Sequence, residues 1–130
     1  MKTSEPNFYY CEKCNVILEA IQGDKEDLTS SGMPFRKLTA NTSEGAREKH
    51  LPVVKKEGNK ITVTIGDVIH PMAAEHHISW IYLRTEKGCQ RVMLESTQQP
   101  VVEFLIADGD TAIAAYAYCN LHGFWKTDIQ

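Results

Sequence analysis

No stretch of the chain is apolar for long enough to cross a bilayer, where a helix needs about 20 consecutive apolar residues. No block of lysine and arginine stands out either. Lys+Arg number 14 against 17 Asp+Glu, a formal net charge of −3, and no basic stripe is interleaved with aromatics. Nucleic acid and membrane are therefore not expected as partners. The N-terminal "MKTSEPNFYY" has one early lysine but no apolar segment behind it, which reads as a chain without a signal peptide and a cytoplasmic location. Cysteine is sparse, with four residues. In a cytosolic protein such cysteines favour metal or redox chemistry over a disulfide frame. Internal repeats and low-complexity segments are absent. What remains is ordinary globular composition: 42% apolar and 24% charged residues in 130 rule against disorder and suffice for one domain, or one domain with a small appendage.

A convincing helical period is also missing, and strand signals take its place. "FYYCEKCNVILEAI" (residues 8–21) is rich in β-formers but interrupted by a C-x-x-C. "QGDKED" reads as a turn and "GMPFRKLT" as a second short strand, giving a hairpin-like unit over residues 1–40. "ANTSEGAREKH" is small and polar, a linker over residues 41–50 with room for one helical turn. From Leu51 to residue 130 the texture changes. "NKITVTIG" alternates strictly, with Ile61, Val63 and Ile65 on one face. "HISWIYLRTEKG", "QRVMLES", "VVEFLIADGD" and "TAIAAYAYC" follow at similar spacing. Short strands separated by turns at this spacing indicate an all-β, antiparallel sandwich or barrel.

Five histidines occur, at positions 50, 70, 76, 77 and 122. His70 and His76 are six apart with Pro71 and Met72 between them, unsuited to one helix face, where ligand pairs sit three or four apart. A loop that folds back can still bring both rings together. Cys119 and His122 add a thiol and an imidazole in "YCNLHGFW". Each has a plain structural explanation when taken singly: loop histidines are usually solvated, and a cysteine after "AYAY" usually fills a core. Neighbouring strand residues face opposite ways, so only one of His76 and His77 suits a site. Four imidazoles and a thiolate exceed a closed tetrahedral zinc site and suit iron or copper with a position left over. Composition and spacing go no further than a transition-metal site.

"EKHLPVV", "IGDVIHPMAAEHHISWI" and "YCNLHGFWK" resemble, in order and spacing, the signature of the superoxide reductases (desulfoferrodoxin and neelaredoxin). The resemblance implies an immunoglobulin-like antiparallel β-sandwich behind a small N-terminal desulforedoxin-like β domain. It implies a mononuclear non-haem iron with His50, His70, His76 and His122 as imidazole ligands and Cys119 as thiolate. It implies one-electron reduction of superoxide to hydrogen peroxide, with Lys49 as the functional lysine and Glu48 as the carboxylate that covers the open iron position. His77 stands where the family often has tyrosine. Backbone N–H groups of "CNLHG" are the candidates to moderate the thiolate, with Gly123 allowing close approach.

The chain departs from the two-iron members at its N-terminal site. Cys11 and Cys14 match the first ligand pair of that rubredoxin-like iron, but Ser30 and Ser31 stand where the second pair would be. Hydroxyls are poor iron ligands beside thiolates. The expectation is a one-iron protein whose N-terminal iron is absent, reduced by an external donor such as a rubredoxin. A segment of about forty residues without its metal staple is also expected to lean on other surface, hence a homodimer. Cys89 reads as an incidental turn thiol. The alternative is a non-catalytic metal-binding or zinc-stapled β-sandwich module.

Overall fold

A computed structural model describes residues 3–130 and divides the chain into two compact units, Ser4–Thr39 and Ala40–Gln130, the latter joined by Thr3. The smaller unit holds four antiparallel strands: β1 (Asn7–Cys11), β2 (Val16–Ala20), β3 (Asp27–Ser30) and β4 (Met33–Lys37), in the sheet order β2-β1-β4-β3. Two hairpins thus build it, and β3, "DLTS", is a strand to which the sequence pattern assigns no element beyond the turn ending at Asp27. The β3–β4 hairpin closes on Ser31 and Gly32, at φ of 52° and 74°. Two consecutive positive-φ residues make the turn whose twist suits a two-residue hairpin. A small core of Tyr9, Cys11 and Phe35 lies beneath.

The larger unit begins with a single helical turn, α1 (Arg47–His50), followed by β5 (Pro52–Glu57), β6 (Lys60–Ile65), β7 (Ile78–Thr85), β8 (Cys89–Met93), β9 (Val101–Leu105), β10 (Ala112–Cys119) and β11 (Gly123–Asp128). They form a three-stranded sheet, β5-β6-β9, and a four-stranded sheet, β11-β10-β7-β8, with every pairing antiparallel. Hairpins join β5 to β6, β7 to β8 and β10 to β11, while the chain crosses between sheets from β6 to β7, β8 to β9 and β9 to β10. This is the Greek-key logic of an immunoglobulin-like sandwich. Ile61, Val63 and Ile65 point inward from β6 as their alternation predicts, meeting Ile78, Ile81, Leu83, Ala115, Ala117 and Cys119 from the opposite sheet. β7 and β10 are buried along almost their whole length, which is why they read as near-continuous apolar runs.

Pairing register gathers the chemistry at one end of the sandwich. Pro52 at the start of β5 pairs with Ile65 at the end of β6, Ile78 at the start of β7 pairs with Cys119 at the end of β10, and Cys119 pairs with Gly123 at the start of β11. The segments at that end are α1, the β6–β7 crossover and the β10–β11 turn, which carry the candidate ligands. Among the described residues no helix is long and apolar enough to cross a membrane.

Candidate metal centre

His50 closes α1 and is buried. Its Nδ1–H donates to the Ala46 carbonyl at 2.7 Å, which leaves Nε2 as a bare lone pair. Nε2 faces Nδ1 of His122 at 3.1 Å. Trp125, itself buried, stacks on the His50 ring at 4.8 Å between centroids and 22° between planes, and its Nε1–H donates to the His122 carbonyl at 3.0 Å. One indole therefore fixes the ring of one candidate ligand and the backbone of another. Gly45 lies between the same two histidines: a Cβ there would sit 3.0 Å from His50 Cε1 and 3.3 Å from His122 Cβ.

His70 and His76 come from the β6–β7 crossover. Val68 N–H donates to the Glu48 carbonyl and His70 N–H to that of Ile65, tying the crossover to α1 and β6. Residues Ala73 and His76 exchange both backbone hydrogen bonds, a tight fold-back that turns the His76 ring inward. His70 Nδ1–H donates to the Pro71 carbonyl at 2.7 Å, again exposing Nε2. The Nε2 atoms of His70 and His76 are buried and have no hydrogen-bond partner among the described residues. Such orphaned polar atoms cost on the order of 1–3 kcal/mol each.

The four rings form a closed cycle. Centroids of His50–His70, His70–His76, His76–His122 and His122–His50 are 4.8, 4.7, 5.1 and 4.9 Å apart, each pair edge-on at 71–84°. Cys119 Sγ lies 3.8 Å from His122 Nδ1. The ligand atoms of His50, His76, Cys119 and His122 all fall within 4.8 Å of one another. His70 is outside that mutual set, yet its ring borders both His50 and His76. His77 is turned away, its Nδ1 bonded to the Ala73 carbonyl.

Electrostatics favour neutral imidazoles. Burial pushes His70 down to about 4, opposed by its bond to Pro71 and aided by the three neighbouring rings. His50 and His76 are lowered by burial first and by neighbouring positive charge second, Lys49 included. Burial raises the Cys119 thiol, while the N–H groups of His122 and Leu121 work the other way; the His122 N–H reaches Sγ at 3.4 Å. These are the backbone donors anticipated in "CNLHG". The turn from Cys119 to Gly123 reaches this shape because Gly123 adopts φ 81°.

The donor set fits a transition metal: three buried or half-buried Nε2 atoms, one Nδ1 and one sulfur, with two nitrogens left unpartnered inside the protein. His76 and His122 are only half-buried, whereas His50 and His70 are buried. Lys49 and Glu48 are exposed on α1, and Glu48 lines a groove of about 510 Å³ with Arg47, Pro52, Asp67 and Asp128. Cys11 and Cys14 lie in the smaller unit, where no third histidine, cysteine or carboxylate joins them among the described residues.

Sequence reasoning passed over Asn120. Its Oδ1 accepts the His77 N–H at 2.8 Å, its Nδ2 donates to the Glu75 carbonyl at 3.1 Å, and its own N–H donates to the His77 carbonyl at 3.1 Å. These bonds clamp both sides of His76 to the Cys119 turn. Gly45 was equally silent, since a glycine in a polar linker reads as flexibility.

Comparison with known proteins places the chain among relatives of one family. A family model described as Desulfoferrodoxin matches residues 42–128. Desulfoferrodoxin of Nitratidesulfovibrio vulgaris is 40% identical over 121 residues, covering 92% of this chain and 94% of that protein. Superoxide reductase of Pyrococcus abyssi is 34% identical over 111 residues, covering 72% of this chain and 96% of that protein. The crystal structure of the superoxide reductase from Treponema pallidum superposes with a TM-score of 0.79 at 31% identity, covering 93% of this chain and 98% of that one. With a matching family model over most of its length and relatives at this identity, the chain belongs to the desulfoferrodoxin family.

Proposed function

We propose that this protein is a superoxide reductase, taking superoxide, one electron and two protons to hydrogen peroxide at a mononuclear non-haem iron. His50, His70, His76 and His122 would hold the metal through their ring nitrogens and Cys119 through its sulfur. The observation that carries the reading is the closed cycle of four imidazoles beside one thiol, with buried Nε2 atoms that no protein group satisfies. Iron bound there would supply the single electron that superoxide accepts.

The chain's own residues set the conditions. Burial favours the neutral form of His50, His70 and His76, so these rings can bind a cation without adding negative charge. With a metal bound, the Cys119 thiolate would donate electron density to it, and the His122 N–H would moderate that donation. The substrate is a small anion and the protein carries a formal charge of −3, so capture needs a local positive charge. Lys49, exposed and acting on both His50 and His76, provides it, and its Nζ–H groups can donate to the anion's oxygens. Glu48, exposed beside Lys49 on α1, is the carboxylate that would cover the metal in the oxidised protein.

Electrons come from an external donor such as a rubredoxin, because Ser30 and Ser31 leave the desulforedoxin-like unit without two of its four thiolates and hence without iron. The same loss supports a homodimer, and the protein acts in the cytoplasm. Metal quantitation with electron paramagnetic resonance is expected to find one high-spin ferric centre per chain. The reduced form should be reoxidised by radiolytic superoxide with hydrogen peroxide as product. Tightly bound zinc without redox response would instead identify a non-catalytic metal-binding module.

A further inference from the structure

Cys11 and Cys14 take no part in the cluster above, yet they are not idle thiols by geometry. They flank a tight turn between β1 and β2 that ends on Asn15 at φ 53°. Cys14 N–H donates to Cys11 Sγ at 3.3 Å, and the Cys14 thiol itself hydrogen-bonds the Cys11 sulfur. Cys11 is fully buried against Tyr9 and Phe35, while Cys14 is exposed. Two sulfurs in contact, one shielded and supplied with an N–H, the other open to solvent, form the arrangement that thiol–disulfide chemistry uses.

We propose that Cys11 and Cys14 are a redox-active dithiol that closes reversibly to an intramolecular disulfide, with a hydroperoxide as oxidant and a dithiol as reductant. The Cys14 thiol is held above its ordinary value chiefly by the hydrogen bond it gives Cys11, so it reacts through the thiolate formed once that proton is lost; this exposed thiolate attacks a peroxide oxygen, the O–O bond breaks, hydroxide leaves and Cys14 becomes a sulfenic acid. Cys11 thiolate then attacks the Cys14 sulfur; the S–S bond forms and a second hydroxide leaves. The two thiol protons convert the two hydroxides to water, so two thiols and one hydrogen peroxide give one disulfide and two waters. Return runs through the exposed sulfur: an external dithiol attacks Cys14 and expels Cys11 as a thiolate that the Cys14 N–H stabilises. Burial works against a charged Cys11, but the hydrogen bonds from Cys14 and Lys13 and the Lys13 charge leave its thiol below the ordinary value.

Hydrogen peroxide is also the product of the reaction proposed above, but the dithiol needs no iron, and its test is separate. The whole reduced protein is exposed to hydrogen peroxide, or equilibrated in glutathione redox buffers, then alkylated after denaturation and examined by peptide mass spectrometry. The peptide carrying both cysteines should lose two hydrogens, resist alkylation and regain both thiols with dithiothreitol; exposed Cys89 serves as the comparison thiol. In Cys11→Ser, Cys14 should instead run on to the sulfinic acid. Full alkylation of both cysteines after either treatment, irreversible oxidation of Cys14 in the unsubstituted protein, or stoichiometric zinc that shields the pair would overturn the proposal. Iron content and the superoxide reaction are read independently, so either result leaves the other proposal to stand or fall by itself.

Discussion

At the scale of single residues, the groups that hold the ligands matter as much as the ligands. Asn120 brackets His76 with bonds to Glu75 and His77. Asn120→Ala removes the two side-chain bonds and keeps the backbone one, so the fold-back loosens without losing its strand. Metal affinity is expected to fall about 10-fold, the lower end of what outer partners of ligands contribute; competition with a chelator measures it, and an unchanged affinity would show that Ala73–His76 pairing alone places the ring. Cys119→Ser tests the sulfur directly. It should abolish a visible thiolate-to-iron charge-transfer band while the histidine cycle still binds metal, and a surviving band would remove Cys119 from the coordination set. The five candidate ligands were legible through the signature segments alone, which also singled out His76 from its neighbour His77. Asn120 and Gly45 were not, because their roles lie in which backbone groups they meet, and an Asn or Gly in a turn has the same local signature whether or not it braces a ligand.

At the scale of elements, burial on both sides made some strands easy to read and exposure hid others. β6 showed a period of two, and β7 and β10 showed long apolar runs. The strands that escaped, β3, β5 and β11, lie at sheet edges, and "DLTS", "PVVKKE" and "GFWKTD" each carry charge. Edge strands are kept polar to discourage further pairing, and that dilutes the pattern by which strands are recognised. The β10–β11 turn is the element the site depends on most. A Cβ on Gly123 would approach Ser43 Oγ to 2.6 Å, at a φ that side chains rarely adopt. Gly123→Ala should destabilise the protein by about 1–3 kcal/mol, read as a shift in denaturation midpoint. Adding Ser43→Gly should restore only the part due to the contact; full restoration would mean that the backbone conformation costs nothing. At the opposite end of the sandwich, Asp110 joins two turns by accepting the Thr85 hydroxyl and the N–H groups of Lys87 and Thr111. Desolvation raises its carboxyl, but these bonds win and hold it below its ordinary value. A depressed carboxylate stabilises the fold fully above its unfolded-state pKa and loses that contribution as pH falls through the folded one. Asp110→Asn should therefore narrow the stability difference between pH 5 and pH 2 relative to the unsubstituted protein; identical acid profiles would assign the interaction no weight.

At the scale of the whole molecule, the sign of the charge opposes the proposed substrate. A formal charge of −3 is spread over the surface, whereas Lys49 acts on the rings of His50 and His76. The two influences have different reach. At an ionic strength near 0.01 M the screening length is about 30 Å, and the anion feels the whole protein; near 0.1 M it is about 10 Å, and only charges around the site count. If the local lysine governs capture, the second-order rate with superoxide declines as salt is added, because an attraction is being screened. If the global charge governs it, the rate rises, because a repulsion is being screened. The expected outcome is a decline for the unsubstituted protein. Lys49→Ala should lower the rate about 10-fold at low salt and reverse the slope, leaving the net negative surface as the dominant field. Lys49→Arg should keep both the rate and the original slope, since charge rather than hydrogen-bond shape attracts the anion. Pulse radiolysis across a salt series reads all three proteins in one format. A slope that stays negative in Lys49→Ala would move the attracting charge to Arg47 or to the metal centre itself, while a positive slope in the unsubstituted protein would mean that encounter is set by the molecule's net charge.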